Sequence, residues 1–224
     1  MNKKSLYIIA TVIVSSIIMS IVDGIIQPTY FYKSCFKLVL FMIVPLFYFL
    51  VFKDEWVNMK ELFIPKKNFK KSLVLGIGVY VVIIAAYLLF KNFIDFNGIV
   101  DSLTGDVGVT ADNFLFVAIY ISFVNSLLEE FFFRGYAFIL LNKQMSKIVS
   151  YVFSAGLFAF YHVGMTFGWF NVWIYVLAML GLFIGGVIFN YLNDKFGNIY
   201  SSWLVHMFAN FAINTIGCML FGII

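Results

Sequence analysis

The chain has 224 residues, of which 63% are hydrophobic and only 12% charged, and its mean hydropathy is +0.99. Soluble domains are nearer half apolar and a quarter charged, so a soluble protein is excluded and an all-α, polytopic bundle of transmembrane helices is expected, with no room for a sizeable soluble domain. The net charge of +4 reflects loop lysines and gives no reason to expect a nucleic-acid partner; the two cysteines, Cys35 and Cys218, lie in separate apolar segments and suggest neither a disulfide framework nor a zinc knuckle.

Lys3 and Lys4 precede an apolar run from Leu6 to Ile26. A signal peptide also begins this way, but the run has the length of a full span and no small-x-small cleavage site follows, so a retained first span is predicted. A second span is predicted over Cys35–Phe52, with Pro45 as a kink. Lys53 to Lys71 carries six lysines and the aromatic anchors Trp56 and Phe63, the pattern of a segment lying along the headgroups. The third span is Ser72–Phe90. An acidic connection follows, from Lys91 to Asp112, where a re-entrant eighth crossing between Gly98 and Ala111 is conceivable.

The fourth predicted span, Asn113–Leu141, runs 29 residues and about 43 Å, long enough to tilt or to project beyond the hydrocarbon. The remaining spans are Ile148–Val163, Asn171–Leu192 and Ile199–Phe221; Gly164 to Phe170 is expected to turn the chain, and Gly181 and Gly185, with Gly186 beside them, supply small residues for close helix contact. With the N-terminus inside, the inner segments hold eleven lysines; the outer loops, taken to include Lys33, Lys37 and Lys91, hold three. That bias predicts a cytoplasmic N-terminus. Abundant lysine, isoleucine, phenylalanine and asparagine beside a single arginine suggest an AT-rich bacterial genome.

Glu129-Glu130-Phe131-Phe132-Phe133-Arg134 stands inside the fourth span. Ionisable groups at that depth are costly and point to function. Glu130 and Arg134 are four apart and share a helix face, so the arginine can hold one carboxylate while Glu129, about 100° away, faces another surface. Arg134 is the only arginine, which suggests a use for its fork geometry. The two histidines are His162, four residues after Phe158, and His206, four before Asn210. Helical rise from the inner ends of their spans places Glu129, His162 and His206 at depths of about 18, 23 and 12 Å, compatible with one buried site.

A carboxylate and two imidazoles can activate water in two ways. Glu129, His162 and His206 could ligate zinc and leave one position open. Alternatively Glu129 acts as general base with His162, while His206 and Asn210 stabilise an oxyanion. Either scheme hydrolyses an amide or similar acyl bond, and no serine or cysteine forms a recognised nucleophile motif with a histidine.

Glu129-Glu130-x-x-x-Arg134-Gly135, then Phe158-x-x-x-His162, then His206-x-x-x-Asn210 resemble the signature of the CAAX protease and bacteriocin-processing (CPBP, or Abi) family of intramembrane proteases. The similarity covers Asn113 to Phe221. It implies a membrane endopeptidase acting on a membrane-associated peptide or protein, with Glu129, His162, His206 and Asn210 catalytic and Glu130, Arg134 and Phe158 in support. Members process prenylated CAAX proteins or peptides and are linked to bacteriocin self-immunity; whether they need a metal is left open. The chain then divides into N-terminal helices with their lysine-rich loop (1–112) and a CPBP-like core (113–224) within one membrane domain. Two other classes compete: a non-catalytic bacteriocin immunity or sensor protein, and an ion- or proton-coupled transporter, against which no internal repeat is visible.

Overall fold

The computed structural model of the protein describes residues 2–64, 69–105 and 107–224. Among these every regular element is helical, and seven helices are long and apolar enough to cross a membrane: Lys3–Ile26, Tyr30–Val51, Phe69–Phe90, Ala111–Asn142, Lys147–Thr166, Val172–Phe196 and Tyr200–Leu220. The protein is an integral membrane helical bundle. Local chemistry sets the ends. Asn2 caps the first span by accepting from Ser5 N at 2.8 Å. Thr110 and Asn113 form a capping box at the start of the fourth. Gly197, at a φ of 64°, closes the sixth in the left-handed conformation that glycine adopts without strain.

No eighth crossing forms among the described residues. Asn97–Gly105 is a nine-residue helix with no buried side chain, and nine residues rise only about 14 Å. The lysines Lys66 and Lys67 and the acid Asp106 of the two connections lie outside the described residues. Trp56 and Phe63 pack on the bundle itself, Trp56 against Phe49 at 5.7 Å and Phe63 stacked on Phe131 at 5.9 Å. The placement of Lys33 and Lys37 in an outer loop is overturned. The second span starts at Tyr30, five residues earlier than apolar character alone suggests, and both lysines are buried on it beside carboxylates. Pro45 sits at the second position of the α-helical stretch Val44–Val51 that follows a π-helical turn, Val39–Ile43, a helix start where a residue that cannot donate is tolerated.

The fourth span lies at the centre. It is irregular: π-helical turns occupy Ile121–Asn125 and Glu130–Ile139. Such turns free backbone carbonyls from their usual partners, and neighbouring helices take them up. From the seventh span, Asn214 donates to Ala118 O at 3.1 Å, Asn210 to Ile121 O at 3.2 Å and Trp203 to Phe123 O at 3.2 Å. From the fifth, Ser154 donates to Phe133 O at 2.7 Å.

Two glycines allow close helix approach. A Cβ on Gly164 would meet Ser20 O of the first span at 2.1 Å. Gly164 therefore belongs to the fifth helix, which continues to Thr166, and does not turn the chain. On the sixth span nothing lies within 4 Å of a Cβ built on Gly181 or Gly185, whereas one on Gly186 would meet Ala155 Cα at 3.0 Å and Arg134 Nη2 at 3.4 Å. The contact made by that stripe falls on its third glycine.

Candidate active site

Glu129 and Glu130 are successive residues at the junction between a short α-helical turn and the longer π-helical segment, and both are buried. Their side chains diverge. Glu130 Oε1 accepts from His206 Nδ1 at 2.9 Å and lies 3.5 Å from Arg134 Nη1. The Arg134 guanidinium is fully buried in the corner formed by two rings tilted 69° to each other, with its centre 4.0 Å from the centroid of Phe158 and 4.9 Å from that of Phe189. A planar cation can lie against such a ring, where a compact ammonium would not stack. Gly186 leaves the space for it.

Glu129 turns to the other side. Its Oε1 accepts from Asn125 Nδ2 at 2.7 Å, from Lys37 Nζ at 3.1 Å and from the Tyr161 hydroxyl. Its Oε2 faces His206 Nε2 at 3.6 Å. His206 thus bridges the two carboxylates, bonded to Glu130 through Nδ1 and standing off from Glu129 by slightly more than a hydrogen bond. Because Nδ1 donates to a carboxylate, Nε2 carries the lone pair in the neutral ring. Phe189 stacks on His206 at 5.1 Å and fixes its plane.

His162 is buried on the same face of the fifth span as Phe158, and its Nδ1 donates to Phe158 O at 2.7 Å, which leaves Nε2 as the lone-pair nitrogen of the neutral ring. Its ring lies 4.0 Å from that of Tyr161 and so borders the Glu129 site without bonding directly to the carboxylate. Phe158 serves three neighbours: its carbonyl holds His162, its face covers Arg134, and its ring meets His206 edge-on at 6.0 Å. Asn210 uses one amide hydrogen on Ile121 O, which ties it to the upper π-helical turn, one helical turn along from His206. The structure therefore gathers Glu129, Glu130, Arg134 and His206 directly, sets His162 beside them, and anchors Asn210 on the adjoining turn. Phe131, Phe132 and Phe133 are packing: Phe132 stacks on Phe41 at 4.2 Å and Phe133 on Tyr161 at 5.2 Å.

Sequence reasoning misses three members of this cluster. Asn125 was findable, one α-turn before Glu129. Tyr161, beside His162, is masked by the many aromatics around it. Lys37 is masked by its neighbours Lys33 and Phe36, which give that stretch the look of a loop end.

The zinc alternative meets a poor donor set. Among the described residues no three His, Cys, Asp or Glu side chains are grouped as a metal requires. One oxygen of Glu129 already carries three donors, one of them an ammonium that would oppose a divalent cation. The residues as arranged do not fit zinc.

Residues 111–212 match the family model described as type II CAAX prenyl endopeptidase Rce1-like. Comparison with curated proteins gave no match, and comparison with solved structures gave none either. The matched segment holds both carboxylates, the arginine, both histidines and Asn210. Residues 111–212 are thus similar to the Rce1-like domain, consistent with the CAAX protease and bacteriocin-processing family of intramembrane endopeptidases, and they lie within a bundle of seven apolar helices long enough to cross a membrane.

Proposed function

We propose that the protein is an intramembrane endopeptidase that cleaves a membrane-associated peptide or protein by water activated on Glu129 and His206. The observation that carries this is the 3.6 Å between Glu129 Oε2 and His206 Nε2, each group being held from behind, Glu129 through Oε1 and His206 through Nδ1. That separation is longer than a direct hydrogen bond and leaves both atoms free to engage a water. Oε2 and Nε2 would accept both hydrogens of such a water and turn its lone pair toward a substrate carbonyl. On attack the water oxygen bonds to the carbonyl carbon, and one proton passes to the Glu129–His206 pair. When the C–N bond breaks, that proton goes to the leaving amine. The remaining amide hydrogen of Asn210 and the second histidine, His162, are the groups to stabilise the oxyanion and assist proton transfer.

The family description supports a prenylated, CAAX-ending chain as the substrate to try first; bacteriocin or signal-peptide processing is the other branch of the same reading. The setting we infer is a bacterial cell membrane with a cytoplasmic N-terminus. Removing the buried Lys33 and Lys37 from the outer loops leaves Lys91 there and strengthens the lysine bias.

The test is cleavage of a farnesylated CAAX peptide by the purified protein in liposomes. Wild type should cut, Glu129→Gln and His206→Ala should not while still melting cooperatively, and stoichiometric metal should be neither found nor needed. Normal cleavage by Glu129→Gln would remove this mechanism. Protection of cells against a bacteriocin that survives the same substitution would favour the immunity reading.

A further inference from the structure

Within the matched segment Asn125 and Tyr161 hold Glu129 by Oε1, and a third donor to the same oxygen, the charged one, lies outside it on the second span. We propose that Lys37 is a positioning residue of the hydrolytic site: its ammonium holds Glu129 by Oε1 and so turns Oε2 toward His206. The proposal rests on the endopeptidase reading above.

Lys37 is 5% exposed on a membrane-spanning helix, where a lysine is retained only for a strong reason. Its Nζ lies 3.1 Å from Glu129 Oε1, 2.7 Å from Asn125 Oδ1 and 3.5 Å from the Tyr161 hydroxyl oxygen. An ammonium has three donors, and all three have partners here. Asn125 closes the arrangement, accepting from Lys37 through Oδ1 and donating to the same Glu129 oxygen through Nδ2 at 2.7 Å. Tyr161 donates to that oxygen as well.

The asymmetry is the argument. Three donors from three helices converge on Oε1, and among the described residues none of them bonds to Oε2. A lysine serving only as counter-charge would be free to share itself between both oxygens. The other buried lysine, Lys33, one turn away on the same helix, is already paired with Asp23 at 2.9 Å and does not compete for Glu129. The N-terminal helices therefore supply a charged group to the site, and the Rce1-like segment alone does not contain the whole of it.

The experiment compares Lys37→Met, Lys37→Arg and Glu129→Gln on the farnesylated CAAX peptide in liposomes, with thermal melting of each and of the Lys37→Met/Glu129→Gln double variant. Lys37→Met should lower kcat about 10–100-fold, the range for groups that orient a catalytic side chain, with KM within about twofold. Lys37→Arg should recover most of that loss. In melting, Lys37→Met should be destabilised and the double variant should regain stability, because the unpaired carboxylate is gone. Wild-type kcat in Lys37→Met beside a dead Glu129→Gln overturns this inference and leaves the endopeptidase reading intact. So does a loss confined to KM, or a double variant no more stable than Lys37→Met. Cleavage by Glu129→Gln instead overturns the parent reading.

Discussion

Glu129 and Glu130 are neighbours in sequence and opposites in surroundings. Glu130 faces the sixth and seventh spans and sits near Arg134, itself packed against Phe158 and Phe189 with no exposed surface. Glu129 faces the second and fifth spans and is held by Lys37, Asn125 and Tyr161 through one oxygen, which leaves the other toward His206. Glu130 takes its hydrogen bond from His206 and has Arg134 as a charge partner 3.5 Å away, and Glu129 is half committed. Successive helical residues point in different directions, so a doubled glutamate can serve two helix interfaces at once. His206 stands between the two sides, bonded to Glu130 and 3.6 Å from Glu129.

The comparison breaks most sharply at Glu129 itself. Glu129→Gln should cut kcat by about 10³-fold, within the range for loss of a general base, and should also lower the melting temperature, because the buried Lys37 ammonium loses its carboxylate; a cleavage assay in liposomes and a melt read the two. Loss of the Glu130 side should act mainly on the fold. Arg134→Ala strands a buried carboxylate and empties the space beside the Phe158 and Phe189 rings, which should cost about 3–5 kcal/mol in thermal unfolding. Arg134→Lys should recover only part of that, because an ammonium has no planar face to lay against the Phe158 ring.

Gly186→Ala tests the same side more gently. Its methyl would press on Ala155 and approach Arg134 Nη2, for an expected cost of about 1–3 kcal/mol in melting and a smaller drop in cleavage. Tyr161→Phe removes one of three donors to Glu129 Oε1 and should lower kcat by no more than about tenfold, the scale of a single hydrogen bond.

The smallest effect is expected far from both carboxylates. Lys4 pairs with Asp54 between the second and third spans and holds that carboxyl below its ordinary value of 3.8. A depressed folded-state value contributes stability above the unfolded value, and the contribution is lost as pH falls through the folded one. Lys4→Met should thus melt slightly lower at neutral pH, converge with wild type in acid, and cleave normally.

The spans were legible because lipid imposes a simple filter on composition. Long apolar runs interrupted by lysine-rich or acidic connections suit little besides membrane-crossing helices, and the seven boundaries fall within a few residues of those read from the sequence. Glu129, Glu130, Arg134, His162 and His206 stood out for the same reason, since polar groups in an apolar helix are rare and conspicuous. The π-helical turns were not legible: they depend on Asn210, Asn214, Trp203 and Ser154 arriving from other helices to take the freed carbonyls.

The sequence by itself determined that this is a membrane helical bundle with an acid- and histidine-bearing fourth, fifth and seventh span, because burial in lipid penalises any polar residue without a purpose. Only the tertiary structure decided which carboxylate oxygen stays open, that Lys37 is a buried partner of Glu129, and that Gly186 makes room for Arg134. Those outcomes depend on distances of 3–4 Å between segments far apart in the chain, and no pattern along one helix encodes what the facing helix presents.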